Sequence, residues 1–385
     1  MAGVAEVLVA PAAVWAPTTS YLFSQTKTSL CEEDADANIR GMSKYSSIRT
    51  LIVGIGALGG TIAARALNAE KPIWLATRSA DSAKVLRSSG LSVSGVGGAA
   101  VASLLHVAAI EEYKNADKFD LIVLATKAHD ALEIAPFLSN LLMPDGTLLP
   151  IQNGSVSEIL GDRLGGVVLG GLSNLGATMI EPGVYEQRNS GHILIGELAG
   201  GVSDRAEKIA DALNGAIEML VTPNLRGAVW AKLLLNCSVT TIGAVAGRTM
   251  RQYMTSFAGK EVFRLAYDEA LSVALKNGTG PERMIVEPIP PRWNGAGVAG
   301  HDYASWIDQI VAVYGDLKPS MLQDFERGRQ TEIDFINGYV VQLGKRLGVA
   351  TPINAAITDM VHLIEQGKTQ PDPAWLDELL QVANG

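Results

Sequence analysis

A glycine-rich turn between an apolar run and a helical segment constrains this chain more than any other feature. Residues 49–53 (RTLIV) lead directly into residues 54–60 (GIGALGG), and a helical stretch and a second apolar run, PIWLAT, follow. Strand, glycine turn, helix and strand in this order form the βαβ unit of a parallel sheet. Further apolar runs at 120–125 and 147–151 alternate with helical segments. We therefore predict an α/β fold with a Rossmann-type, doubly wound parallel sheet.

Each glycine of the turn has its own expected role. Gly54 permits the tight turn, Gly56 lets backbone amides approach a pyrophosphate, and Gly59 lets the helix pack closely on the strand. Ala57 and Leu58 complete the turn at the helix N-terminus, which supplies amide donors and a partial positive charge to an anion. The alternative is a glycine-rich turn without a ligand, but its place between strand and helix favours a dinucleotide site.

The end of the second strand predicts which dinucleotide binds. A carboxylate there would bind the ribose 2′-hydroxyl of NAD, whereas an arginine suits the 2′-phosphate of NADP. The strand ends in Ala76-Thr77-Arg78, and no carboxylate occurs until Asp81. Because Arg78 can bind a phosphate through two N–H groups, we predict NADPH/NADP+ as the cofactor. A solvated surface arginine is the alternative.

Polar residues follow the next two strands, at the edge where open α/β sheets bind ligands. Lys127 follows the 120–125 run, and Asn153 follows the 147–151 run. We expect Lys127 to contact the cofactor and Asn153 to lie near the nicotinamide. The alternatives are a surface charge at a helix start for Lys127 and a plain Asn-Gly turn for Asn153.

The sequence pattern changes near residue 220, after which helical periodicity dominates. We predict a loosely ordered extension over 1–46, a Rossmann NADP-binding domain over 47–220 and an all-helical domain over 221–385. The Gly/Pro-rich segment 278–319 predicts a long loop of the kind that forms lids. Residues 183–196 predict an antiparallel hairpin that closes the first domain. Helices are expected at 226–246, 259–276, 320–347, 353–366 and 374–382.

Two polar residues share one face of the apolar 226–246 helix. Lys232 and Asn236 are four residues apart, and both are expected to point into a cavity. Burial would lower the pKa of Lys232 and make it an effective proton donor near neutrality. The alternative is a lysine that extends to solvent from the first turn of the helix.

The predicted 320–347 helix contributes two more candidates. Glu332 lies on a partly apolar face, where a carboxylate could anchor a substrate hydroxyl or pair with a lysine; an exposed helix charge is the alternative. Ser320 is followed three residues later by Gln323, which fits a capping box. Binding of a substrate carboxylate is the other interpretation of Ser320.

Taken together, these features resemble the ketopantoate reductase (2-dehydropantoate 2-reductase) family. The resemblance spans residues 48–368 and rests on matches to several family segments. It implies NADPH-dependent reduction of a 2-oxo acid to a 2-hydroxy acid, with 2-dehydropantoate to (R)-pantoate in pantothenate biosynthesis as the leading pair. The segments are GIGALGG (54–60), TKA (126–128), QNG (152–154), GATMIEPGVYE…GHILIGE (176–197), WAKLLLN (230–236) and PSMLQDFERGRQTEIDFINGYVV (319–341).

The resemblance implies a role for each matching residue. Lys232 would be the general acid that protonates the 2-oxo oxygen, and Glu332 would hold the hydroxyl end of the substrate. Asn153 and Lys127 would line the nicotinamide side.

Three further positions concern the substrate. Asn236 and Ser320 would contact it, with Ser320 toward its carboxylate. Thr240 stands where the family has a second substrate-contacting asparagine, and the 278–319 segment is longer than the family pattern. These departures leave a bulkier 2-oxo acid, or an imine, as alternative substrates.

Composition and spacing argue against other classes of protein. With 31 basic and 40 acidic residues, the net charge of −9 does not favour nucleic-acid binding. Two cysteines exclude a disulfide framework, the histidines lack metal-ligand spacing, and we predict no metal. The polar groups of 228–247 favour a buried helix over a membrane span. We expect a cytoplasmic enzyme with a small-molecule substrate, and the resemblance suggests a homodimer. The rival hypothesis is a sensor that binds NADPH without catalysis. The presence of both Lys232 and Glu332 argues against it, because a sensor does not need a buried proton donor.

Overall fold

The computed structural model describes residues 48–103, 106–291, 293 and 303–382. The predicted extension over 1–46 lies outside these residues, as does part of the 278–319 segment. The strands are β1 Thr50–Val53, β2 Ile73–Thr77, β3 Leu91–Gly95, β4 Ala100–Ala102, β5 His106–Ala109, β6 Phe119–Leu124, β7 Leu142–Pro150, β8 Gly170–Ser173, β9 Ala177–Glu181, β10 Val184–Gln187, β11 Ile193–Gly196 and β12 Met219–Val221. The helices are α1 Ala57–Asn68, α2 Ala80–Ser89, α3 Ala128–Ser139, α4 Val156–Leu164, α5 Asp204–Leu213, α6 Leu225–Leu235, α7 Thr241–Ala246, α8 Met250–Tyr253, α9 Phe257–Lys276, α10 Ala304–Tyr314, α11 Ser320–Glu326, α12 Asn337–Leu347, α13 Pro352–Glu365 and α14 Trp375–Val382.

The five-stranded parallel sheet confirms the predicted fold class. Its strand order is β5-β2-β1-β6-β7, and all four neighbouring pairs are parallel. From β1 the chain builds outward first to one side, through β2 and β5, and then to the other, through β6 and β7. The strand order therefore reverses between β1 and β6. Open α/β sheets bind ligands at this switch point, beyond the carboxyl ends of the strands.

Helices cover both faces of this sheet, as its apolar strands require. In β1, Ile52 packs on the side of α1, whereas Leu51 and Val53 pack on the side of α3 and α4. All three side chains are buried. This two-sided burial explains why the strands appear in the sequence as continuous apolar runs rather than as alternating patterns.

The predicted hairpin at 183–196 is wrong. β10 pairs antiparallel with β9 and parallel with β3, whereas β11 belongs to another sheet and pairs antiparallel with β8. Asn189 redirects the chain between the two sheets: its Oδ1 accepts the Gly176 amide at 2.8 Å, and its Nδ2 donates to the Asn174 carbonyl at 3.1 Å. The antiparallel hairpin is instead the β9–β10 pair, with Gly183 at a φ of +90° in its turn.

Beyond residue 221 the described part of the chain contains helices and no strand, as predicted. The helices expected at 259–276, 353–366 and 374–382 are confirmed within one or two residues. The 226–246 helix is present, but a π-turn, Asn236–Thr240, divides it into α6 and α7. The stretch Leu225–Ala246 is long and apolar enough to cross a membrane, yet 83% of its most apolar window is buried, as in a core helix.

The predicted 320–347 helix is wrong as a continuous element. It divides into α11, a 3-10 turn at Ile333–Phe335, and α12. Gly328, at a φ of +60°, ends the first part, and the Thr331 amide then donates to Glu365 on α13 at 2.7 Å. Glu332 consequently lies in the break between helices rather than on a helix face.

The predicted loop at 278–319 contains helix α10, so the loop prediction is wrong for this part. Trp306 and Ile310, four residues apart, are buried on the side of α10 that faces α9. The Trp306 ring meets Tyr267 of α9 edge-on at 4.9 Å between centroids, and its indole N–H donates to the Glu287 carbonyl at 2.8 Å. These contacts dock the segment on the helical core.

Candidate active site

The glycine turn follows β1 and opens into a large cleft. Gly54 has a φ of +93°, and a Cβ there would lie 2.7 Å from the Thr126 backbone nitrogen. A Cβ at Gly59 would lie 2.1 Å from the Gly54 carbonyl oxygen, so a side chain would force α1 away from β1. No other part of the described structure comes within 4 Å of the Cβ position at Gly56. Two glycines thus allow close packing, while Gly56 leaves the space that a pyrophosphate would need.

The N-terminus of α1 faces the same space. Its N-cap is Gly56, without a side-chain cap or an acidic residue in the first turn. Ala57 and Leu58, its first residues, line the cleft. Tyr185 of β10 supports this turn, because its hydroxyl donates to the Ile55 carbonyl at 3.1 Å. A Cβ at Gly60 would lie 2.0 Å from the Tyr185 ring, so this fourth glycine serves packing.

Arg78 lies beyond the end of β2 at the rim of the cleft. Its side chain is 82% exposed and pairs with Asp130 of α3 at 2.6 Å. Exposed ion pairs of this kind contribute little stability, so the guanidinium can exchange its carboxylate partner for a phosphate at low cost. Ser79 beside it caps α2 by accepting the Ser82 amide at 3.2 Å.

The N-terminus of α3 brings Lys127 and Glu332 together from distant parts of the chain. Lys127 is the N-cap residue, and its ammonium lies 3.3 Å from Asp324 of α11. The Ala128 amide donates to the Glu332 carboxylate at 3.2 Å. A carboxylate at a helix N-terminus is favoured by the amide donors and the positive end of the helix dipole. The 324–335 segment is thereby fastened to the parallel sheet.

The turn after β7 makes the second connection to that segment. A Cβ at Gly154, where φ is +74°, would lie 2.3 Å from the Phe335 carbonyl oxygen, and the Ser155 amide donates to the same oxygen at 3.1 Å. Asn153 is partly buried and lines the cleft. The Asn-Gly pair is therefore more than a surface turn, because its glycine lets the Glu332 segment approach.

Lys232 lies in the last turn of α6, with its side chain partly buried. Its ammonium donates to the Ser173 carbonyl, at the end of β8, at 2.6 Å. Burial lowers the pKa of Lys232 to about 8, and the charge of Glu332 acts in the opposite direction. His192 lies nearby as well, and burial lowers its pKa, with Lys232 adding to the effect and Glu218 opposing it. Lys232 is therefore not a lysine that extends to solvent from the first turn of the helix, which was the alternative interpretation.

The residues after Lys232 depart from regular helix geometry. Asn236 begins the π-turn and lines the cleft, but Thr240 does not reach the cleft. The Thr240 hydroxyl turns back and donates to the Asn236 carbonyl at 3.0 Å. The expectation for Thr240 assumed regular helical spacing, which the π-turn interrupts.

Ser320 reaches the cleft as the first residue of α11. Pro319 occupies the N-cap position of this helix, so the predicted capping role of Ser320 is wrong.

One cleft of about 3620 Å³ joins these residues. Among the candidates, Gly59 and Thr240 are the two that do not line it. In the described ranges, no group of three or more His, Cys, Asp or Glu side chains is placed to hold a metal ion. The candidates along the cleft are Gly54, Gly56, Ala57, Leu58, Arg78, Lys127, Asn153, Lys232, Asn236, Ser320 and Glu332.

Comparison with known proteins identifies the family. A family model described as "Ketopantoate reductase PanE/ApbA" matches residues 50–200, and a second, for the C-terminal part of the same family, matches residues 224–365. Together they cover more than half of the chain. The chain belongs to the ketopantoate reductase family. It is accordingly an oxidoreductase of the 2-dehydropantoate 2-reductase type, which acts on CH–OH groups.

Individual relatives agree with this family. The 2-dehydropantoate 2-reductase of Pyrococcus abyssi is 29% identical over 320 residues, covering 82% of this chain and 97% of that protein. A PanE/ApbA family ketopantoate reductase from Ralstonia eutropha JMP134 has a similar fold, with a TM-score of 0.67 at 23% identity over 83% of this chain and 99% of that one. D-mandelate dehydrogenase, solved with NADH and anilino(oxo)acetate, gives a TM-score of 0.69 at 22% identity over 83% and 98%.

Several residues of the candidate site were not found from the sequence. Ser173 holds Lys232 through a backbone carbonyl, which no side-chain pattern reveals. Gln152 is buried beside Asn153 and donates to the Leu124 and Thr126 carbonyls at 2.9 and 3.0 Å. Its place in the QNG segment was a signal that could have been followed. Asp324, the partner of Lys127, also lies in a family segment, but the two are 197 positions apart in sequence.

Proposed function

We propose that the protein reduces a 2-oxo acid to a 2-hydroxy acid with NADPH, and that 2-dehydropantoate to (R)-pantoate is the leading substrate pair. The observation that carries this proposal is the Lys232 ammonium, which lies partly buried at the cleft and donates to the Ser173 carbonyl at 2.6 Å; burial lowers its pKa to about 8. An amine of that pKa is mostly protonated at neutral pH and can still release its proton readily. The family membership supports the same reaction type.

The chain's own residues would share the work as follows. When bound, the reduced nicotinamide supplies a hydride to carbon 2 of the substrate. Lys232 stabilises the negative charge that develops on the 2-oxo oxygen and then protonates it. Glu332, fixed by the Ala128 amide, holds the hydroxyl end of the substrate and favours the charged form of Lys232. Asn236 and Ser320 line the cleft where they can contact the substrate, with Ser320 toward its carboxylate.

The cofactor would occupy the open space at Gly56. The free amides of α1 suit a pyrophosphate, and Asn153 and Lys127 would lie on the nicotinamide side. Arg78 supports NADPH over NADH, since it follows the end of β2 at the rim of the cleft and its guanidinium carries only an exposed ion pair. D-mandelate dehydrogenase was solved with NADH, and a comparison of the KM values for NADPH and NADH tests the preference in this protein.

A bulkier 2-oxo acid is the second candidate substrate. The 278–319 segment contributes apolar side chains to the cleft, including Met284, Ile285, Val313 and Leu317, the last of them 58% exposed. Such a wall would suit a larger apolar substituent on carbon 2.

We further propose that the protein is a cytoplasmic homodimer. The dimer is supported by a ketopantoate reductase from Staphylococcus aureus, which is described as dimeric and has a TM-score of 0.62 to this chain at 18% identity.

The test is a substrate panel. NADPH oxidation is followed at 340 nm with 2-dehydropantoate, with bulkier 2-oxo acids and with imines, using the wild type and Lys232→Ala. The proposal expects Lys232-dependent turnover of 2-oxo acids and the highest kcat/KM for 2-dehydropantoate. A strong preference for another acid would replace the substrate but keep the chemistry. The absence of Lys232-dependent turnover with every 2-oxo acid would refute the proposal.

A further inference from the structure

Three aromatic and acidic side chains that the proposed chemistry does not use are buried together behind Lys232. Glu158 lies on α4, Tyr339 on α12 and Trp230 on α6, and their exposed fractions are 5%, 7% and 0%. The Tyr339 hydroxyl donates to Glu158 Oε2 at 2.6 Å. The rings of Trp230 and Tyr339 lie 6.0 Å apart between centroids. We call Glu158, Trp230 and Tyr339 the buried joint, because they connect three helices.

The electrostatics of the buried joint are costly. Burial raises the pKa of Glu158, while the Tyr339 hydroxyl, Arg226 and the Trp230 indole act against the rise and Asp162 adds to it. In the described structure, Glu158 Oε1 and Trp230 Nε1 are both buried and neither atom has a partner within hydrogen-bond geometry. Apolar side chains of similar volume often pack such a position with equal or greater stability. The polar set therefore suggests a requirement for geometry rather than for stability.

The buried joint lies on the side of α6 opposite to the cleft. Trp230 precedes Lys232 by two residues, and residues two apart on a helix point in nearly opposite directions. The contact between Trp230 and the other two members thus holds the back of α6, while Lys232 extends forward to the Ser173 carbonyl. On the other side, Glu158 belongs to the first turns of α4, which follows the Asn153 turn directly. The buried joint consequently links α6, which carries Lys232, to the Asn153 turn, which we place on the nicotinamide side in the proposed function.

We propose that Glu158 and Tyr339 are positioning residues for Lys232. Acting through Trp230, they fix α6 against α4 and so set the distance between the Lys232 ammonium and the Asn153 turn. Neither residue touches the substrate or the cofactor in this proposal. The proposal rests on the proposed role of Lys232 as the general acid.

A double substitution separates positioning from stability. Glu158→Leu with Tyr339→Phe removes every polar atom of the pair, so no buried charge is left unpaired and the protein is expected to stay folded. Misplacement of the ammonium should lower kcat about tenfold to a hundredfold, whereas the dissociation constant of NADPH should stay within about twofold. The single variant Glu158→Gln keeps an acceptor for the Tyr339 hydroxyl and should therefore retain most of the wild-type kcat.

Tyr113→Phe serves as the matched control. Tyr113 is also buried, at 6% exposure, and its hydroxyl donates to the Leu75 carbonyl at 2.9 Å, remote from α6. This substitution should lower the melting temperature without changing kcat. A folded double variant with the kcat of the wild type would overturn the proposal, and so would a kcat that follows melting temperature alone across all these variants.

A second readout does not depend on turnover. Acylation of Lys232 by acetic anhydride, measured by mass spectrometry against pH, reports the state of its amine directly. The wild type should titrate near pH 8, and Tyr339→Phe and the double variant should shift that midpoint, whereas Tyr113→Phe should not. An unchanged midpoint in both joint variants would overturn the positioning proposal. A wild type without Lys232-dependent turnover, by contrast, would refute the proposed function itself.

Discussion

Replacement of Gly56 by alanine should separate cofactor binding from folding. Gly56 has φ −82° and ψ −159°, which an L-residue can adopt, and its Cβ would meet no other part of the described structure within 4 Å. We therefore expect the free energy of unfolding of Gly56→Ala to change by less than about 1 kcal/mol. The same methyl group would fill the space left for the pyrophosphate. A loss of about 2 kcal/mol, roughly 30-fold in the dissociation constant of NADPH, is the expected result.

Gly59→Ala is the matched control for this experiment. Its Cβ would lie 2.1 Å from the Gly54 carbonyl oxygen, more than an ångström closer than an ordinary contact. Such overpacking costs about 1–3 kcal/mol or more and should lower the urea midpoint. NADPH affinity is measured by quenching of tryptophan fluorescence, and stability by urea unfolding. The reasoning is refuted if Gly56→Ala binds NADPH like the wild type, or if it is destabilised as much as Gly59→Ala.

Three further predictions concern individual charges. The kcat of reduction should fall as pH rises through about 8, since Lys232 must be protonated. Glu332→Gln should move that fall to lower pH, because the charge of Glu332 raises the pKa of Lys232. A pH profile of kcat that is unchanged in this variant would contradict the coupling. Arg78→Ala should raise the KM for NADPH about tenfold and leave the KM for NADH unchanged, and equal effects on both would exclude a 2′-phosphate contact. Burial raises the pKa of Asp268 to about 7 from the usual 3.8, so the folded state keeps a proton that the unfolded state releases. Stability should therefore fall as pH rises from about 4 to about 7, and Asp268→Asn should flatten this slope in thermal melts; an unchanged slope would show that other groups cause it.

Local sequence patterns were sufficient to predict most of the parallel sheet, although they did not indicate β5, His106–Ala109. Strands β1, β2 and β6 are short runs of mostly apolar residues, and helices α1 and α3 follow β1 and β6, so neighbouring residues carry most of the information there. The glycine turn was only partly local, because a Cβ at Gly59 would meet the Gly54 carbonyl within the βαβ unit, whereas a Cβ at Gly54 would meet Ala125 and Thr126, which follow β6. Most candidate residues line one cleft, since strand ends and helix starts meet at one edge of such a sheet.

The errors arose where contacts between distant residues decide the structure. Apolar periodicity continues across 320–347, but the break depends on the Thr331 amide bonding to Glu365, 34 positions later. The role of Gly154 depends on the Phe335 carbonyl, and the hairpin was misplaced because the Asn189 hydrogen bonds could not be foreseen. A π-turn similarly has no reliable sequence pattern, and it removes Thr240 from the cleft.

The central claim is that reduction of a 2-oxo acid depends on the proton of Lys232, and isotope transfer tests it most directly. 2-Dehydropantoate is incubated with NADPH carrying two deuterium atoms at nicotinamide carbon 4, and the product is analysed by mass spectrometry. The account predicts one deuterium on carbon 2 of the product with the wild type and no detectable product with Lys232→Ala over the same time. Product without deuterium, or labelled product formed equally fast by the variant, would contradict it.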